Sequence, residues 1–168
     1  MSAMFLAMEA RALASLADKS GTAAALNRAE QAFETRNLGA DPEWVSYFDA
    51  LELAGEGSHC FRDLGDGHRA KYFTAQAIDP VLTPPRTRAF IQTVSAAGSL
   101  ANGERHEGVA LATEAVELAD GLQSMRYLRY LTDFCKALRS VKAERELSQN
   151  FDQLLKARYP KLALPPAA

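Results

Sequence analysis

One layout occurs twice in this chain and constrains its fold more than any other feature. In residues 50–80 a small residue, Ser58, is followed by the aromatic Phe61, a Leu64-Gly65 turn, and then Ala70 and Ala77 one heptad apart. Ala96, Ser99, Asn102-Gly103, Gly108 and Ala115 take the corresponding positions 38 residues further on. Two helices that cross closely need small side chains at the crossing and a turn residue between them. They also need a small residue against which the next pair packs. A weaker upstream copy uses Leu13, Leu16, Ala25 and Ala32, and the last two helical patterns supply material for a fourth hairpin. A chain built this way folds as a stack of helical hairpins.

Apolar residues recur at helical spacing along nearly the whole length. The spacing predicts helices over residues 3–18, 22–36, 50–64, 67–77, 86–101, 104–119, 123–138 and 143–159, with a short aromatic one opened by Asp41, Pro42 and Glu43. Ser20-Gly21-Thr22 offers the break and the caps before the second helix. Asp41 reads as an N-cap with Pro42 in the first helical position, and Pro85 opens the fifth helix. Trp44, Tyr47 and Phe48 read as a seal between one hairpin and the next. The first helix is apolar nearly all round, with Glu9, Arg11 and Asp18 as its only charges, which calls for cover on more than one side. On the seventh, Leu128, Leu131, Cys135 and Leu138 form the apolar stripe. No stretch alternates with period two or carries a hairpin signal. The expected fold is all-α: a right-handed superhelix of antiparallel hairpins with about seven or eight helices. It occupies residues 1–159, and 160–168 read as a flexible C-terminal tail.

Composition bounds the function classes. At 168 residues, 48% hydrophobic and 24% charged, the chain has ample length and ordinary balance for a globular core. Much alanine with little valine or isoleucine favours helix. A formal net charge of -2 supplies no whole-chain attraction to nucleic acid or acidic lipid. Direct nucleic-acid binding and membrane association are therefore not expected. No run reaches the roughly 18–20 apolar residues of a membrane span. The apolar start lacks a basic leader and is interrupted by Glu9 and Arg11, unlike a secretion signal. Cys60 and Cys135 read as small buried residues in a reducing compartment, so the expected location is the cytoplasm.

The order small, aromatic, Leu-Gly, Ala, Ala resembles the tetratricopeptide repeat (TPR). Pro80 falls near that family's closing proline, two residues early, while Ala54 stands where a tryptophan is usual and Thr74 where an aromatic is. A longer likeness rests on Asp41, Pro42, Glu43, Trp44, Tyr47, Phe48, Asp49, Glu52, Leu53, Gly55, Glu56, His59, Cys60, Leu64 and Gly65. That run resembles the TPR-like C-terminal domain of bacterial Cro/C1-type helix-turn-helix transcriptional regulators. In those proteins an N-terminal domain binds DNA and the repeat domain senses or dimerises. The chain begins directly with the repeat-like helix, so the likeness covers the sensor part with the DNA-binding part absent. It implies a missing domain or a partner, possible homodimer included, over the first helix, with Met4, Phe5 and Met8 as interface candidates.

Glu52, Glu56, His59, Arg62 and Asp63 project from the helix at 50–64, the class of helix that lines the ligand groove in the family. They are the first ligand-binding candidates. The family's carboxylate clamp of lysine and asparagine is missing there, which argues against capture of a peptide C-terminus. Arg126 and Arg129, with Lys136 and Arg139, form a basic stripe interrupted by Asp133, a second place for an anionic ligand or partner. Glu56 and His59 have the Glu-x-x-His spacing of di-iron bundles, but neither His68 nor His106 has a glutamate three residues before it. Ser58, His59 and Cys60 are consecutive, and neighbours on a helix do not face each other, so they cannot act as nucleophile and base. There is no Gly-rich phosphate loop and no zinc-spaced Cys/His cluster. No catalytic residue, metal or cofactor is expected. The expected function is a non-enzymatic regulatory or interaction module, binding a peptide, protein or small molecule in its groove and linked to transcriptional regulation. The alternatives are a helical enzyme or biosynthetic accessory protein using the groove around Glu56 and His59, and a purely structural dimerisation domain.

Overall fold

The computed structural model describes residues 2–37, 41–119, 121–140 and 145–162. They form α1 Ser2–Ser15, α2 Lys19–Glu34, α3 Ala50–Asp63, α4 Gly67–Gln76, α5 Pro85–Ala101, α6 Arg105–Leu118, α7 Met125–Ser140 and α8 Arg145–Arg158. A 3-10 helix, Glu43–Val45, lies between α2 and α3. The described residues contain no strand, and the all-α hairpin fold read from the periodicity is the fold observed. The chain divides into two compact units, Met1–Asp79 and Pro80–Ala168, each with its own core.

Aspartates start α2, α3 and α4. The carboxylates of Asp18, Asp49 and Asp66 accept hydrogen bonds from the backbone N–H of Gly21, Glu52 and Arg69 at 2.8, 2.9 and 3.0 Å. α2 therefore starts before the expected Thr22, and Ser20-Gly21-Thr22 forms its first turn rather than a break. Pro42 is extended and is not the first helical residue, so the helix expected from Asp41 shrinks to a single 3-10 turn.

The first helices of three hairpins stop in the same way. After α3, Asp66 N–H donates to Phe61 O and Gly65 N–H to Arg62 O; after α5, Glu104 N–H donates to Ser99 O and Gly103 N–H to Leu100 O. After α1, Asp18 N–H donates to Leu13 O and Ala17 N–H to Ala14 O. This is the Schellman arrangement, which places the residue just past the helix at positive φ. Gly65 (71°) and Gly103 (84°) adopt it as their sequence suggests, and Ala17 (61°) adopts it without a glycine to signal it.

In the first unit α1 packs on α2 and α3, and α3 packs on α4. α1 turns in Ala3, Ala7, Ala10 and Ala14, small residues that let the helix axes approach closely. Ala3 and Ala7 meet Ala29, Val45, Phe48 and Leu53, with Phe33 edge-on to Phe48 at 6.4 Å between ring centres. Around the 3-10 turn, side chains three apart eclipse. Val45 and Phe48 accordingly face the core, while Trp44 and Tyr47 are thrown outward. Only Phe48 of the three expected aromatics seals the hairpin.

In the second unit α5 pairs with α6, α7 lies on α5 and α8 on α6. A Cβ on Gly108 would sit 3.0 Å from Ala96 O and 3.3 Å from Leu100 N, so the α5 and α6 backbones touch where the repeat pattern puts small residues. α7 buries Tyr127, Tyr130, Leu131, Phe134, Cys135 and Leu138. The stripe is thus centred one residue away from Leu128, which is half-buried. Tyr127 Oη donates to Ala115 O at 2.9 Å, and Arg139 pairs with Asp152 at 2.6 Å to join α7 to α8. Tyr159 and Leu162 still pack on this core; residues 163–168 of the expected tail lie outside the described residues.

Candidate functional site

The five candidates lie together on α3, and the charges of Glu56, Arg62 and Asp63 are occupied within the fold. Glu56 Oε2 accepts a hydrogen bond from Arg11 Nη1 at 2.6 Å, joining α3 to α1. Arg62 Nη1 donates to Asp63 Oδ1 at 2.7 Å. These four side chains are at most 17% exposed, where solvent screening is weak and breaking a pair is costly. His59 is 4% exposed. Glu52 is half-buried in the first turn, its backbone N–H held by Asp49. Ser58 Oγ donates to Gly55 O at 2.7 Å within its own helix. Burial pushes the Cys60 thiol up to about 12, opposed by Arg11 and reinforced by Glu56 and Asp63. Burial likewise pushes Cys135 up to about 12. Both cysteines are free and buried, as their apolar settings in the sequence suggest.

The basic stripe on α7 resolves into four separate environments. Arg139 belongs to the buried pair with Asp152, and Lys136 Nζ lies 4.0 Å from Asp133 in an exposed pair. The Arg126 guanidinium lies over the Phe90 ring at 4.7 Å. Arg129 stands at a cavity of about 560 Å³. One wall of that cavity is a face of α7: Met125, Leu128, Arg129 and Thr132. The other is the segment after α8, from Tyr159 to Leu162. Only Arg129 was legible as a site residue. Met125, Leu128 and Thr132 share its helical spacing, a signal present in the sequence. The opposite wall depends on how the chain returns after α8, which no local pattern reveals.

The interface candidates lie on α1, whose burial is inverted relative to side-chain size. The alanines are inside, Met4 is half-buried, and Phe5 and Met8 are 54% and 43% exposed. Tyr47 Oη reaches Met4 Sδ at 3.4 Å, so the outward aromatics of the 3-10 turn continue this surface. Trp44 and Tyr47 are 57% and 59% exposed. The two charges of α1 are both paired, Glu9 with Arg28 at 2.7 Å and Arg11 with Glu56.

No helix among the described residues is long and apolar enough to cross a membrane. Comparison of the chain with protein-family models, with curated proteins and with solved structures finds no match.

Proposed function

We propose that this chain is a non-enzymatic interaction module that pairs with a second copy of itself through the outer face of α1 and the aromatic turn before α3. In this reading it is the regulatory half of a transcriptional control system. The observation that carries it is the inverted burial of α1, with alanines inside and Phe5 and Met8 outside. At roughly 200 Å² for each large side chain, Phe5, Met8, Trp44 and Tyr47 at their exposures present about 430 Å². Two copies burying that surface remove about 850 Å² from water, so a specific interface of roughly 1,000 Å² or more also takes in the residues bordering these four. A two-fold pairing sets the same patch against itself. The charges of α1 itself are already paired, Arg11 with Glu56 and Glu9 with Arg28, which limits like-charge repulsion between the two copies of that helix.

The resemblance through Asp41–Gly65 to sensor domains of helix-turn-helix regulators supports the link to transcription. The ion pairs that occupy Glu56 and Arg62 favour a structural use of the α3 face over chemistry there. Light scattering and sedimentation test the proposal. The wild-type chain is expected as a dimer, and Phe5→Glu with Met8→Glu as a monomer of unchanged helical content. A wild-type chain that stays monomeric up to its solubility limit overturns it.

A further inference from the structure

We infer that the second unit binds a small amphipathic carboxylate, with an acyl or aryl body, in the cavity between α7 and the segment after α8. This site is independent of the pairing proposed for α1. Its volume of about 560 Å³ falls among those of small-molecule pockets. The body of the ligand meets Leu128 and Leu162, with the ring of Tyr159, 3% exposed, beneath. Its head meets Arg129 and Lys161, and no carboxylate lines the cavity among the described residues.

The charge balance selects the ligand. Elsewhere on α7, Arg139 and Lys136 have aspartate partners. Arg129 makes no ion pair among the described residues; its guanidinium lies 5.7 Å from the Tyr130 ring. Two cations on one cavity repel each other, and a monoanion relieves that repulsion. The planar guanidinium suits a carboxylate, which it can hold by two parallel hydrogen bonds. Gln123 Nε2 donates to Gly121 O at 3.0 Å and Thr132 Oγ1 to Leu128 O at 2.9 Å. Their hydrogen bonds are thus made locally, and the cations discriminate the head group.

Isothermal titration of the full chain with decanoate, and with decan-1-ol as the uncharged counterpart, tests the site. Decanoate is expected to bind saturably at one site per chain, and the alcohol about tenfold or more weakly, the scale of a lost charge-assisted hydrogen bond. Arg129→Gln with Lys161→Gln should weaken decanoate by a similar factor. Phe5→Glu with Met8→Glu should leave it unchanged, which separates this cavity from the apolar face of α1. Lys161 lies outside any helix, so Lys161→Gln alone carries the test should the double variant unfold. Three results overturn the inference: no saturable binding of decanoate, equal affinity for decan-1-ol, or unchanged affinity in the folded cation variants.

Discussion

Ala17 occupies a backbone position that its side chain disfavours. At φ 61° an L-residue holds its Cβ close to the following carbonyl, which costs roughly 1–2 kcal/mol, and Gly65 and Gly103 occupy the equivalent places without that penalty. Glycine gives back part of the gain by loosening the unfolded chain, by about 0.4–1 kcal/mol. Ala17→Gly is therefore expected to stabilise the protein by about 0.5–1 kcal/mol, and Gly65→Ala to destabilise it by about the same amount. No heavy atom lies within 4 Å of where a Cβ on Gly65 would sit, so its effect reports conformation alone. Urea unfolding midpoints measure both. A destabilised Ala17→Gly would show that the α1 turn is not the left-handed cap described. The same residue shows a limit of legibility. The turns at Gly65 and Gly103 are visible because glycine advertises positive φ, whereas the third was misplaced to Ser20-Gly21-Thr22 because an alanine holds it.

At the level of the helix, what proved legible was periodicity, and what did not was orientation. α7 has well-separated apolar and polar sides, so its burial was readable to within one residue, from Leu128 to Tyr127. α1 is apolar nearly all round, with Glu9 and Arg11 its only charges, so its own pattern chooses only weakly between burying alanines and burying Phe5 and Met8. Packing against both α2 and α3 makes the choice, because close axes admit only small side chains. The crossing of α5 and α6 shows the same constraint in measurable form. Inside a helix, glycine to alanine is ordinarily favourable by about 1 kcal/mol. At Gly108 the added methyl would press on the backbone of Ala96 and Leu100 at 3.0 and 3.3 Å, and a helix backbone cannot step aside as a flexible side chain does. Overpacking of this kind costs typically 1–3 kcal/mol, which outweighs the propensity gain. Gly108→Ala should therefore lower stability by about 1 kcal/mol. A thermal or urea midpoint higher than that of the wild type would show that the two helices are free to separate.

For the molecule as a whole, the two units differ in what fills them. The large side chains under 2% exposed are Tyr127, Tyr130, Phe134, Phe151, Leu131, Leu138 and Leu155, all from the second unit, with Val94, Val116 and Thr93. The first unit contributes Thr22 and Cys60 to that group, and the rest of its core is mostly alanine, with Leu26, Val45, Phe48, Leu53 and Phe61. Stabilisation scales with apolar area removed from water, so four helices packed through alanines gain less than four packed through tyrosine, phenylalanine and leucine. Local opening should then be easier in α1–α4 than in α5–α8. Hydrogen exchange followed by mass spectrometry reads this directly, with faster exchange expected in the amides of α1 and α2 than in those of α6 and α7. The pairing proposed through α1 adds a dependence that an isolated chain lacks. Binding a second copy stabilises the first unit by mass action, so protection in α1 should rise with protein concentration while protection in α7 stays constant. In Phe5→Glu with Met8→Glu, the concentration dependence should vanish and the difference between units should remain. Equal protection in both units at low concentration would refute the packing argument. A difference that ignores concentration would keep that argument and remove the partner from α1.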